Sequence, residues 1–404
     1  MQIQPVLAAL RKHRFATWLI ALEIALACAV LCNACFMIAG RLSMMHIGSG
    51  VDEAALATVQ LTGYDPAKAA DVDARALNAL RGVPGVQSVT LLNSIPFGMR
   101  RGTAGITTDA AGQHFGGVIE FYVGGQGSFE ALGLQVIAGR GPQPDDFHAF
   151  TGLMPNDAPI QITQSIAEHL WPGADPLGKQ IWLDKSHFRV VGVLKTLVRP
   201  DPPGWPEEQR GWAVFVPAQP GPLLSGSYLL RANPRDMQRV MRDALIAIGK
   251  ALPEVVLDRE DSHTLPDLRA NVFKNDRAMA GLLVGVIVAL LGVTALGIVG
   301  LASFWVAQRR KQIGVRRALG ATRGDILRYF QTENFLIVTF GIVLGMVLAY
   351  AINLLLMAHY EVPRLPFFYL PIGAAVLWGL GQLAVLGPAL RAAAVPPVVA
   401  TRTV

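Results

Sequence analysis

Four long apolar runs and one long polar stretch set the architecture. Phe15 to about Ala39 is apolar apart from Glu23, and Ala278 to Ala307 carries no charge; Phe335 to Ala358 and Phe367 to Leu390 are the other two runs. At ~1.5 Å per helical residue each run can cross a hydrocarbon core of ~30 Å. A cleaved leader is the rival reading of the first run, but its apolar core would hold only about 7 to 15 residues before a small-residue cleavage site. Residues 41–270 are polar and rich in Gly and Pro, with no run long enough to span. The pattern predicts an α-helical membrane protein with four transmembrane helices and a large α+β extracytoplasmic domain inserted between helices 1 and 2. Its parts are 1–40 (cytoplasmic N-terminus and helix 1), 41–270 (the inserted core domain) and 271–404 (helices 2–4 and a cytoplasmic loop). A polar helix predicted over Leu265 to Arg277 can run directly into helix 2.

Within 41–270 one unit occurs twice. Thr58-Val59-Gln60-Leu61 leads through Asp65-Pro66 to a helix with Val72, Ala76, Leu77 and Leu80, and Val83-Pro84-Gly85-Val86 opens a strand. Tyr228-Leu229-Leu230 leads through Asn233-Pro234 to a helix with Met237, Val240, Met241, Ala244, Leu245 and Ile248, and Leu252-Pro253-Glu254-Val255 repeats the turn. Asx-Pro starts a helix, and the apolar period of 3.6 gives it one buried face. Two such β-α-β units, 55–95 and 225–262, are expected to pair into one sheet covered by helices on one face. The strand-rich insert between them, about 122–222, is expected as a second lobe. In it, Gln180 to Leu183 and Phe188 to Val193 read as a hairpin around the turn Asp184-Lys185-Ser186-His187. Gly173 to Lys179 has P-loop-like glycine and lysine spacing, but Gln180 stands where Ser or Thr must meet magnesium and a strand follows instead of a helix, so nucleotide binding is not expected.

Charge fixes the orientation. The net charge is +6 and 52% of residues are hydrophobic, with a mean hydropathy of +0.40. The basic residues cluster beside apolar runs: Arg11, Lys12 and Arg14 before helix 1, and Arg309, Arg310, Lys311, Arg316, Arg317, Arg323 and Arg328 between helices 2 and 3. Basic loops stay in the cytoplasm, which puts both termini inside and the inserted domain outside. A nucleic-acid partner would need a basic soluble face, which the inserted domain lacks.

The basic loop, 308–330, is patterned as well as charged. Val315, Ala318 and Leu319 recur at helical spacing, Gly320 supplies a stop, and Thr322 with Asp325 starts a second helix carrying Ile326, Leu327 and Phe330. Two short helices bent at the membrane face are expected. A plain topology signal would need only the charges.

Little points to chemistry. The three cysteines, Cys28, Cys32 and Cys35, share one face of helix 1 and read as small packing residues; no metal or cofactor site is expected. The histidines are scattered, and no nucleophile shares a motif with a base. Glu23 should face protein, either paired with a basic residue at the cytoplasmic surface or serving substrate passage. Gly281/Gly285 and Gly341/Gly345 permit close helix contact, within one chain or between subunits, and Asn33, Asn353 and Gln382 can bond between helices.

A family resemblance rests on four places. Arg310-Lys311-Gln312-Ile313-Gly314-Val315-Arg316-Arg317-Ala318-Leu319-Gly320-Ala321 resembles the signature of the FtsX-like permease domain of MacB-type (type VII) ABC transporters, with Gln312 where the family usually has Glu. Phe129-Glu130-Ala131-Leu132-Gly133-Leu134 with Ala138-Gly139-Arg140, then Asp175-Pro176-Leu177-Gly178-Lys179, resemble landmarks of the MacB-like periplasmic core domain, as does Val190-Val191-Gly192-Val193. The C-terminal run Gly387 to Arg402 is similar to the family's closing motif. The resemblance implies a permease subunit of the bacterial inner membrane, not itself an enzyme, that works with a cytoplasmic ABC ATPase and a second permease copy. It leaves room for a periplasmic adaptor and an outer-membrane channel beside membrane lipid. It also implies that Arg310, Lys311, Ile313, Gly314, Arg316, Arg317, Ala318, Leu319, Gly320 and Ala321 form the coupling contact with the ATPase. The alternative it carries is a non-transporting relay to an extracytoplasmic enzyme or sensor.

Overall fold

The structure, a computed structural model, describes residues 14–149, 157–221, 224–360 and 364–395. Arg11, Lys12 and the closing run from Pro396 to Arg402 lie outside them. The chain divides into a membrane unit, up to Ser43 and from Asp276 onward, and an inserted domain, Met44–Asn275.

Helix α1 (Arg14–Met45) opens the described chain. In the inserted domain, β1 (Leu56–Thr62), α2 (Ala69–Arg81) and β2 (Val86–Leu91) form the first repeat. After it come β3 (Thr103–Thr107), β4 (Phe115–Gly124), α3 (Ser128–Leu132), β5 (Val136–Gly139), β6 (Ala158–Thr163), α4 (Gln164–Leu170), β7 (Gln180–Leu183), β8 (Ser186–Leu194) and β9 (Ala213–Pro217). The second repeat is β10 (Ser227–Ala232), α5 (Met237–Ala251) and β11 (Val256–Asp258).

The repeats interlock in one antiparallel sheet, β11-β1-β10-β2, in which each contributes one inner and one edge strand. Val72, Ala76 and Leu80 of α2 and Val240, Ala244 and Ile248 of α5 are buried. Asp65 caps the short helical turn Pro66–Lys68 that leads into α2, accepting the Ala67 N–H at 3.0 Å. Buried Asp73 ties α2 to the start of β10, accepting from the Gly226 N–H (2.9 Å) and the Tyr228 hydroxyl (2.6 Å). Burial raises its carboxyl above the usual range, and those two donors pull it back.

The other strands close on themselves. Their order is β5-β8-β6-β9-β4-β3-β7, and β7 also pairs with β8, so six strands form a barrel, with β5 pairing with the end of β8 beyond β7. Closure removes the open sheet edges that would otherwise invite pairing with other chains. This lobe starts at Thr103, not near 122; TAGIT and the Gly116-Gly117 pair carry too little apolar alternation to announce two strands. The β7–β8 turn is two residues, Asp184-Lys185, not four, because Asp184 takes φ +53° and lets Leu183 pair with Ser186. The repeats and the barrel share one continuous apolar core.

The polar helix α6 (Leu265–Val272) stops at Phe273 and does not run into α7 (Lys274–Gln308), because the buried Phe273 ring is held against Phe97. A short helix, α8 (Arg310–Ala318), then leads to α9 (Arg323–Tyr360) and α10 (Tyr369–Ala393). Among the described residues, helices α1, α7, α9 and α10 are the four long and apolar enough to cross a membrane. Small residues let α1 sit close to its neighbours. A Cβ at Gly345 would stand 2.5 Å from Cys28 Cβ, and one at Gly373 would stand 2.6 Å from Cys32 Sγ. Asn33 bonds across to the Ala349 carbonyl at 3.1 Å. Gly281 and Gly285 meet nothing within 4 Å.

Candidate functional site

The basic loop is built as a stop, a cap and a continuing helix. Helix α8 ends with Gly320 at φ +99°, where the Ala321 N–H reaches the Arg316 carbonyl (3.0 Å) and the Gly320 N–H reaches that of Arg317 (3.2 Å). This pairing is the Schellman motif, which needs a left-handed residue just past the helix. Thr322 then caps α9: its Oγ1 accepts from the Asp325 N–H at 3.2 Å, and Asp325 Oδ2 accepts from the Thr322 N–H at 3.0 Å. That reciprocal capping box satisfies two otherwise orphaned donors. The second short helix expected of this loop is in fact the first three turns of α9, since no residue between Ile326 and Phe340 interrupts the helix.

The ten residues assigned to the coupling contact divide into two groups. Ile313 and Gly314 are buried, and Ile313 packs with Ile326, Phe330, Ala389, Ala392 and Val395. Arg317 donates to the Ala393 (2.6 Å) and Val395 (3.3 Å) carbonyls, neutralising the negative end of α10. Ala321, half-buried, packs beside this cluster. These four hold α8 in place. Arg310, Lys311, Arg316, Ala318, Leu319 and Gly320 are exposed, with the Arg316 guanidinium also 5.0 Å from the Tyr329 ring centre. Val315, absent from the sequence-based set, joins them: it is 50% exposed and Leu319 82%, so an apolar strip lies among arginines.

Glu333 was missed entirely. It sits on α9, 1% exposed, and receives Arg309 Nη1 at 2.8 and 3.0 Å. The Arg309 guanidinium also lies 5.4 Å from the Trp305 ring centre, at the junction of α7 and α8. A Glu just ahead of the apolar run starting at Phe335 could have been read as part of the span. Among the described residues Glu23 has no basic partner: its carboxylate lies against Gly297 of α7, and Oε1 is buried without a hydrogen bond. The arginine at the cytoplasmic ends of the spans, Arg309, is taken by Glu333.

A second buried charge cluster belongs to the barrel. Glu120 Oε1 accepts from the Gly102 N–H at 2.6 Å, while Arg199 donates to the Gln209 carbonyl at 2.8 Å and stacks 3.8 Å over Trp205. Burial raises the Glu120 carboxyl and pushes Arg199 down to about 10. Their hydrogen bonds run to backbone, while Glu120 Oε2 and Arg199 Nη1 are buried without one. Among the described residues no group of three His, Cys, Asp or Glu is placed to hold a metal.

Comparison with known proteins matches the MacB-like periplasmic core domain over residues 19–246 and the FtsX-like permease C-terminal domain over 284–397. The ABC transporter permease YvrN of Bacillus subtilis (strain 168) is 23% identical over 68% of this chain and 68% of its own length. The macrolide export ATP-binding/permease protein MacB of Shewanella sp. (strain W3-18-1) is 26% identical over 68% of this chain, which spans only 40% of that protein. The extracellular domain of the ABC-type transporter YknZ from Gram-positive bacteria aligns with 50% of this chain and 100% of its own, at 16% identity and a TM-score of 0.33.

Proposed function

Because this chain belongs to the family of permeases that joins a MacB-like periplasmic core domain to an FtsX-like permease domain, we propose that it is the membrane subunit of an ABC exporter and that α8 receives the stroke of the ATPase. The observation that carries this is the division of labour in α8. One face is locked to α9 and α10 through Ile313 and Arg317, while the other presents Val315, Ala318 and Leu319 among arginines. An element held on one side and open on the other can pass on a push. A topology signal needs no such build.

In this reading an ABC ATPase, on a separate or a fused chain, docks on the exposed strip, with Arg310, Lys311 and Arg316 steering acidic groups of its surface. Its closure on ATP moves α8 with the cytoplasmic ends of α7 and α9. The motion travels along the long helices to the inserted domain, which acts on substrate outside the bilayer. A second permease copy completes the membrane unit, and the open face of α7 around Gly281 and Gly285 is available to it. The setting is the bacterial inner membrane, and the inserted domain is the part that meets a periplasmic adaptor leading to an outer-membrane channel. A photo-crosslinking amino acid at Leu319 in living cells should capture a protein with ABC ATPase sequence motifs, identified by mass spectrometry. Adducts with lipid alone would defeat the assignment.

A further inference from the structure

We propose that Arg269 is a clamp that binds the chain leaving the first span and the chain entering the second to one sheet of the inserted domain, making it a positioning residue for coupling. This rests on the mechanical reading above and names where within the inserted domain the motion is received.

Arg269 lies on α6 with its side chain only 20% exposed. It donates to Glu53 Oε1 and to the Ile47 carbonyl, and its guanidinium lies 4.6 Å over the Phe97 ring and 5.9 Å from that of Phe273. Glu53 is held in turn by the Ser49 hydroxyl at 2.5 Å. Ile47 is two residues beyond the end of α1, and Phe273 is the single residue between α6 and α7. One guanidinium therefore touches the first residues after one span and the last residue before the next.

Both segments are fastened to β1. The short helical turn Glu53–Ala55 leads directly into it at Leu56. On the other side Thr264 caps α6 and its backbone bridges Ala57, while the Thr58 N–H bonds the His263 carbonyl at 2.9 Å. Phe97 adds an independent sign. It is fully buried with φ +65°, a left-handed conformation that a bulky residue keeps only where its surroundings over-determine it. Its ring stands 6.0 Å from that of Phe273 and supports the guanidinium. A planar fork can satisfy two acceptors while stacked on a ring; an ammonium cannot do both. With the clamp intact, a displacement of either helix end is delivered to β1 and hence to the interlocked repeats.

The test is hydrogen–deuterium exchange, read by mass spectrometry, on the full chain in lipid nanodiscs with and without its co-purified ATPase. The variants are Arg269→Lys, Arg269→Gln and the swapped pair Arg269→Glu with Glu53→Arg. Without nucleotide, both single variants should raise exchange several-fold in 46–53 and in 264–273 together, leaving β1 unchanged, and the swap should recover part of the protection. A change confined to 264–273 would overturn the clamp. With a non-hydrolysable ATP analogue, the single variants should keep protection of 310–318 by the ATPase but lose the nucleotide-dependent exchange change in the inserted domain. If that change persists undiminished in Arg269→Lys and Arg269→Gln, Arg269 is only a structural residue. If wild type itself shows no nucleotide response, the exporter reading fails, and the nucleotide-free arm still decides whether Arg269 joins the two segments.

Discussion

A carboxylate withdrawn from water must find a cation or a set of donors, and Glu333 shows how much depends on the match. With Glu333 1% exposed and Arg309 its ion partner, removing the arginine alone strands a buried charge, which costs about 3–5 kcal/mol. We expect Arg309→Gln to lower the thermal unfolding midpoint in detergent far more than Arg310→Gln, and Arg309→Met with Glu333→Met to recover most of the loss. Equal midpoints for the Arg309 single and the double variant would show that the pair is not coupled. Asp73 makes the opposite case, since its carboxyl is raised by burial. As pH rises from the unfolded value near 4, the unfolded state sheds its proton first, so stability falls until the folded group has also ionised. Asp73→Asn keeps an oxygen for the Gly226 N–H and the Tyr228 hydroxyl, so it should flatten that fall above pH ~4 in urea titrations. A profile as steep as wild type would remove Asp73 from the account. At this scale the sequence spoke clearly where backbone geometry is local, as at Gly320. It was silent on Glu333, whose burial depends on an arginine one helix away.

Among the elements, close approach decides which glycines are needed. Gly345 faces α1 with no room for a Cβ, whereas Gly285 faces open space. Gly345→Val should therefore separate α1 from α9 and lower the stability of the monomer by several kcal/mol through overpacking, as seen in detergent unfolding, while Gly285→Val should leave it within ~0.5 kcal/mol. Similar losses for the two would mean that α1 is not seated on α9 in this way. The motif G-x-x-x-G was legible at both places, but not which of them packs inside the chain. That needs the partner helix, and α1 announces itself only as generally apolar. The capping box at Thr322 and the stop at Gly320 were legible for a different reason, because each is written within four residues. The length of α9 was not, since a helix start carries no statement of where the helix ends.

At the scale of the molecule, four apolar runs gave four long helices, and the two Asx-Pro repeats gave one interlocked sheet. Barrel closure stayed hidden because, beyond the legible β7–β8 hairpin, it is made by Thr107 meeting Trp182, a pairing that no local pattern encodes. The ATPase contact was legible as a region but not as a surface. The motif mixes residues that lock α8 down, Ile313 and Arg317, with those that it presents, Val315 and Leu319. That division is what the central claim depends on, and ATP hydrolysis by the reconstituted complex tests it most directly. In nanodiscs the wild-type chain should stimulate its ATPase. Val315→Asp with Leu319→Asp, which leaves every topology-setting arginine and the locked face intact, should insert normally but abolish the stimulation. Gly320→Val, which strains the stop at φ +99°, should reduce it. Stimulation by the double variant at the wild-type level would contradict the account and leave the basic hairpin as a marker of topology alone.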